Sequence, residues 1–204
     1  MSSDYVMPFD AKRIRAIVFD LDNTLVSSTM DFNWLRSKVG CPQHLDLLSY
    51  TNNIDCPQQR AVAQQHILDH EIEDAQLSYS MPGCEALLAY IEDQDLHTAI
   101  ITRNCLQAAQ LKVTHNQLGI SRIISREHYP PKPSPVSLVA LANEWQLNSA
   151  ELLYVGDHLY DLEAAANAKM PSCLVTHGQN SPFTASASVV VEQLNDLLPL
   201  LERR

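Results

Sequence analysis

The chain reads as an α/β protein built on a doubly wound parallel sheet, and three observations carry that reading. Short apolar runs of β type recur along the sequence. Stretches of helical periodicity separate them. The connections between the two kinds of segment are short.

The first strand is Ile14–Phe19, apolar in the manner of a strand buried on both faces. Leu96–Ile101 is the second, Arg122–Ser125 a short third, Leu152–Val155 the fourth and Ser172–Thr176 the fifth. Between them Glu85–Asp93, Cys105–Leu118, Pro135–Trp145 and Leu159–Lys169 have helical pattern. Gly119 suits the C-cap of the second of these, and Ser134 with Pro135 suits the start of the third. The tail closes with Ser188–Val191 and an apolar helix ending near Leu201.

Residues 26–80 break the alternation. Asp31 can cap a helix carrying Trp34, Leu35 and Val39, and Pro42 and Pro57 punctuate two further helical stretches. Along Pro57–Ala75, Ala61, Leu68, Ile72 and Ala75 share one face, whereas Glu71 belongs to the polar remainder. The expected division is an α/β core of residues 1–25 and 81–204, with a small all-α cap of residues 26–80 inserted after the first strand.

Composition narrows the partners. The 204 residues suffice for one core plus a small inserted unit. Fourteen basic against 24 acidic residues give a formal charge of −10, which argues against nucleic acid and against an anionic membrane surface. A small anionic substrate fits if a divalent cation and a few basic groups reverse the field in one cleft. The five cysteines are odd in number, scattered and without a CxxC pair, as in a reducing compartment. Met1–Phe9 has no apolar core of a signal peptide, and no segment approaches a membrane span. The expected location is the cytoplasm and the expected assembly a monomer, with a dimer left open.

The junction between the first strand and Asp20-Leu21-Asp22-Asn23-Thr24 is the most informative stretch. Open α/β sheets bind ligands just beyond the C-terminal ends of their strands. Two carboxylates at i and i+2 there can divide the labour of attack and proton transfer; a plain surface turn is the alternative. Thr102-Arg103-Asn104 follows the second strand and enters a helix, where free N–H groups suit an anion. Lys132 stands among Pro130, Pro131, Pro133 and Pro135, which limit its loop's freedom. Asp157 and Asp161 follow the fourth strand, one helical turn apart. Asp20, Asp22 and Asp157 suit a hard cation such as Mg²⁺, and Thr102 and Lys132 suit a phosphoryl group. Each has a plainer reading: a cap for Thr102, a solvated charge for Lys132, a helix N-terminal acid for Asp157 and Asp161. Their joint order at successive strand ends is what carries weight.

DLDNT at 20–24, the apolar run ending in Thr102, Lys132 in its loop and GDHLYD at 156–161 resemble the four motifs of the haloacid dehalogenase-like hydrolase superfamily. The similarity spans nearly all of residues 14–201 and is nearest to the phosphoglycolate-phosphatase-like branch with a helical cap. The resemblance implies a Rossmann-like sheet of order 5-4-1-2-3. It implies that Asp20 is the nucleophile, forming an aspartyl-phosphate, and that Asp22 is the general acid and base. It further implies Mg²⁺ held by Asp20, the Asp22 carbonyl and Asp157, with Asp161 in support through a water or by pairing with Lys132. Thr102, Arg103 and Lys132 would bind the phosphoryl oxygens. The activity so implied is hydrolysis of a small phosphorylated metabolite.

Asp22 argues against a dehalogenase, and a single cap lysine, Lys38, argues against a phosphonate-cleaving relative. A phosphosugar mutase shares the motifs and stays open, as does a non-catalytic module that binds a ligand or partner. A response-regulator receiver lacks the cap and the GDxxxD pair. Arg36, Arg60, His66 and His70 are cap groups able to meet a substrate, though each also suits a solvated face. His158 is either a supporting group or merely a helix N-terminal residue.

Overall fold

The computed structural model describes residues 6–202, so residues 1–5 of the expected core and residues 203–204 lie outside the described residues. Strand β1 (Ala16–Phe19) is buried at every position. Its side chains alternate between two apolar layers, as a pleated strand requires. Ile17 and Phe19 enter one cluster, and Ala16 and Val18 the other.

Three helices follow before the sheet resumes: α1 (Phe32–Val39), α2 (Leu47–Asn52) and α3 (Pro57–Leu77). Asp31 caps α1 by accepting from the Trp34 amide at 2.9 Å, as its sequence position suggests. Asp46 caps α2 in the same way through Ser49, and Pro57 opens α3. Leu35, Cys41, Leu47 and Ile67 form an apolar cluster of their own, with no member from the sheet.

The chain then alternates through α4 (Cys84–Asp93), β2 (His97–Ile101), α5 (Leu106–His115), β3 (Ile123–Ile124) and α6 (Val136–Glu144). It continues through β4 (Leu152–Gly156), α7 (Leu159–Asn167), β5 (Ser172–Val175), β6 (Val189–Val191) and α8 (Leu198–Leu201). All neighbouring strands are parallel, in the order β3-β2-β1-β4-β5-β6. This is the expected order with one strand added beside β5, formed by the Ser188–Val191 stretch. Leu87 and Ile91 of α4, Ala109 of α5 and Leu201 of α8 cover one face. Leu138 and Leu141 of α6 with Ala164 and Ala165 of α7 cover the other. The sheet is doubly wound, with β1 at its centre.

Two expectations need correction. Helix α5 ends at His115, capped by Asn116, so Gly119 (φ +70°) serves the loop beyond rather than the cap. The buried face of α3 is Ala63, Ile67, Glu71, Asp74 and Ala75, not the Ala61–Leu68–Ile72 stripe. Two carboxylates lie in that face because core cations meet them there, a pairing invisible to a search for apolar periodicity. All five cysteines are free. No helix of the described residues is long and apolar enough to cross a membrane.

The inserted helices join the sheet through a narrow neck. Ser27 donates its amide to the Tyr79 carbonyl at 2.8 Å, and Met81 donates to Leu25 at 2.9 Å. Gly83 (φ +81°) then turns the chain into α4, where a Cβ would stand 2.4 Å from the Asn195 amide nitrogen. Gly83→Ala meets both a left-handed backbone and a backbone neighbour unable to withdraw. It is expected to destabilise the fold by about 2–4 kcal/mol, read as a lower midpoint in urea unfolding.

Candidate active site

Each charged group of the site stands where a strand runs out. Asp20 follows β1, and its amide continues the ladder by donating to Val155 at 2.8 Å. Asp157 and Asp161 follow β4. Gly156 between strand and loop makes room for the second of them, since a Cβ there would stand 2.4 Å from Asp161 Cγ. Lys132 arrives on the proline-framed loop after β3 and is 6% exposed. Its Nζ donates to Asp20 Oδ1 and to Asp161 Oδ1, each at 2.6 Å. Tyr154 Oη also donates to Asp161 Oδ1 at 3.2 Å, and the His158 amide donates to Asp161 Oδ2 at 3.1 Å.

Carboxylate oxygens of Asp20, Asp157 and Asp161 lie within 4.8 Å of one another. So dense a cluster raises the cost of ionisation. Burial pushes the pKa of Asp20 well above the carboxylate range; Lys132 opposes this, while Asp161, Asp157 and Asp22 add to it. Burial, then Asp161, pushes Asp157 up to about 7. Burial works against the charge of Lys132 as well, but Asp161 and Asp20 outweigh it and hold its pKa above the usual lysine value. The donors are all hard oxygens, the set that a small divalent cation takes. Both oxygens of Asp161 already accept hydrogen bonds. Asp157 Oδ1 receives only a long one from Thr24 at 3.5 Å, so Asp20 and Asp157 are the better placed to hold a cation.

The side chain of Asp22 turns away from this trio. Asn104 Nδ2 donates to its Oδ2 at 2.6 Å, and Lys112 Nζ pairs with its Oδ1. Lys112 has no exposed surface and also donates to Asp74 Oδ2 on α3 at 2.5 Å. Thr29 and Ser28 complete the shell of Asp74, with Oγ contacts of 3.1 and 2.9 Å. Burial opposes ionisation of Lys112 and is outweighed by Asp22 and Asp74. Sequence reasoning passed over Lys112. Its signal was a lysine four residues after Ala108 on the apolar side of α5, a position at which a solvated lysine has no business.

Of the remaining candidates, Thr102 is buried and its Oγ1 accepts from the Asn104 amide at 3.1 Å. Arg103 pairs with Asp46, the cap of α2, and its guanidinium carbon lies 5.4 Å over the Tyr160 ring. Burial works to raise the pKa of Asp46, but the Ser49 amide and the Arg103 charge prevail and hold it below the usual value. On the neighbouring turn Arg126 pairs with Glu71 of α3. Between the strand ends and the inserted helices lies a cavity of about 540 Å³. Asp20, Asp22, Arg103, Lys132, Asp157 and Asp161 line it from below, and Phe32, Arg36, Leu45, Asp46, Leu48 and Glu71 from above. Thr102 is not among its lining residues, and neither are Arg60, His66 or His70. His70 instead accepts from the Asp31 amide at 3.0 Å. His158 lines the cavity and also caps α7, its ring accepting from the Tyr160 amide.

The chain is similar to proteins of one hydrolase family. A family profile described as haloacid dehalogenase-like hydrolase matches residues 35–175, beginning after the Asp20–Asp22 loop. An N-acetylmuramic acid 6-phosphate phosphatase from Pseudomonas aeruginosa is 24% identical, covering 94% of this chain and 96% of its own length. A phosphoglycolate phosphatase from Aliivibrio fischeri is 28% identical, covering 92% of this chain and 96% of its own. Among solved structures, a hydrolase from Pseudomonas syringae superposes with a TM-score of 0.75 at 21% identity, over 93% of this chain and 98% of that one.

Lys112→Met leaves Asp22 and Asp74 without their shared cation. A loss of about 3–5 kcal/mol in urea unfolding is expected, and adding Asp74→Asn, which removes one stranded charge, is expected to restore part of it.

Proposed function

The chain belongs to the haloacid dehalogenase-like hydrolases, and on that premise we propose that it is a Mg²⁺-dependent phosphomonoester hydrolase working through a phosphorylated Asp20. The observation that carries this reading is Lys132 bound at 2.6 Å to both Asp20 and Asp161 at the floor of the cavity. That two of the relatives are named as phosphatases supports the reaction class. Residues 26–80 act as the cap and the remainder as the catalytic core. The substrate is a small phosphorylated metabolite; five free cysteines suit a cytoplasmic setting.

In this reading Asp20 attacks phosphorus through Oδ2, since Oδ1 is held by Lys132, and the bond to the leaving oxygen breaks. Asp22 gives its proton to the departing alkoxide and then takes one from the water that attacks the aspartyl-phosphate. Asn104 and Lys112 occupy both Asp22 oxygens, so one of these contacts must part for the carboxyl to carry and pass the proton. Lys132 supplies positive charge and the Arg103 amide a hydrogen bond to the phosphoryl oxygens as charge develops, while Thr102, buried behind that turn, holds it in shape through the Asn104 amide. Asp161 keeps Lys132 charged and oriented. Mg²⁺, held by Asp20, Asp157 and the Asp22 carbonyl, would neutralise the phosphoryl group and the crowded carboxylates. The cap excludes water while the first step proceeds.

Phosphate release from small phosphomonoesters is expected to need Mg²⁺, to stop with EDTA, and to fall at least about 10³-fold in Asp20→Asn. Release that survives that substitution would remove Asp20 as nucleophile. A second expectation concerns acidity. With a pKa near 7, Asp157 of the metal-free protein holds its proton below that pH, and the cation must displace it. Mg²⁺ affinity in calorimetric titration is therefore expected to fall by up to about tenfold per unit as pH drops below 7.

A further inference from the structure

Building on the phosphatase reading, we propose that the substrate's leaving group is an uncharged polyol or sugar, and that Asp46 sets this preference by occupying Arg103. The cavity of about 540 Å³ extends well past the phosphoryl site toward the inserted helices, so a sizeable part of the substrate must meet that wall.

Charge decides what the wall accepts. Six carboxylates line the cavity, namely Asp20, Asp22, Asp46, Glu71, Asp157 and Asp161. Only three cations line it among the described residues, and each is already engaged. Lys132 is shared by Asp20 and Asp161, and Arg103 pairs with Asp46. Arg36 Nη1 donates to the carbonyls of Pro42 and Leu45, which hold its guanidinium against the cap wall without cancelling its charge. A divalent cation and a phosphate dianion cancel one another; Lys112 and Arg126 offset Asp22 and Glu71 from behind the lining, and acid still outnumbers base around the rest of the substrate. A second anionic group there meets repulsion in a low-dielectric cleft. Hydroxyl groups meet acceptors, and the aliphatic faces of a polyol meet Phe32, Leu45 and Leu48.

Arg103 is the lining cation whose charge a cap carboxylate withholds. It adjoins the phosphoryl site, and its charge is cancelled by a carboxylate that belongs to the cap rather than to the core. Phosphoglycolate, the substrate in one relative's name, carries just the carboxylate that a liberated Arg103 would bind.

The test compares kcat/KM within pairs that differ only by CH₂OH against COO⁻: glycerol 3-phosphate with 3-phosphoglycerate, and 2-hydroxyethyl phosphate with phosphoglycolate, with p-nitrophenyl phosphate as a general substrate. The wild type is expected to favour the alcohol of each pair at least tenfold. Asp46→Asn retains the cap of α2, because Asn serves that position as well; it is expected to shift both ratios about tenfold toward the carboxylate. Adding Arg103→Met is expected to abolish the shift. Carboxylates preferred by the wild type, or ratios unmoved by Asp46→Asn, would overturn the proposal and leave the phosphatase reading standing. Release from none of the five compounds would overturn both.

Discussion

Lys132 brings its ammonium, 6% exposed, to within 2.6 Å of Asp20 and of Asp161, and the strand ends are organised around that contact. Three carboxylates in so small a volume repel one another, and burial makes each charge dearer. A single cation shared between two of them permits the cluster to exist before any metal arrives. It also assigns unequal roles to chemically identical groups. Asp161 spends both oxygens on Lys132, Tyr154 and the His158 amide, while Lys132 holds Asp20 through Oδ1. The sheet contributes the distances: β1 and β4 are neighbours in register, so Asp20 and Asp157 leave their strands side by side.

A second electrostatic layer binds the inserted helices to the core. Asp46, Glu71 and Asp74 on the helical side meet Arg103, Arg126 and Lys112 on the other. The polarity is the same at every contact, acid above and base below. Apolar packing could hold the two parts together but would be indifferent to small slides between them. Directional charge pairs fix the register, and through Lys112 that register reaches the Asp22 carboxyl.

The sheet was legible because burial on both faces demands apolar strands, and those runs appear undiluted in Ile14–Phe19 and Leu152–Val155. The strand-end carboxylates and Lys132 were legible from order alone, since a parallel sheet brings successive C-terminal ends to one edge. The added edge strand at Val189–Val191 was visible only as a terminal apolar stretch with no helix between it and β5. The buried face of α3 was not legible. Periodicity scores a carboxylate as solvent-facing, and Glu71 and Asp74 are buried by partners some 40 to 55 residues away in the chain. Lys112 escaped for the same reason, as did the partner of Arg103: the meaning of each depends on which acid folding sets against it.

The three ties between the inserted helices and the rest of the chain are of unequal strength, and that inequality has a mechanical consequence. Asp74, Lys112 and Glu71 are almost wholly buried, so parting them strands charge at a cost of about 3–5 kcal/mol per broken pair. The Asp46–Arg103 pair has side chains 37% and 27% exposed, and pairs of that kind are worth at most about 1 kcal/mol. Helix α3 is thereby anchored as a fixed post, and α1 with α2 forms the leaf that is cheapest to swing. The latch of that leaf is a solvated ion pair, which dissolved salt weakens. Ionic strength thus acts on the doorway of the cavity while leaving its floor untouched.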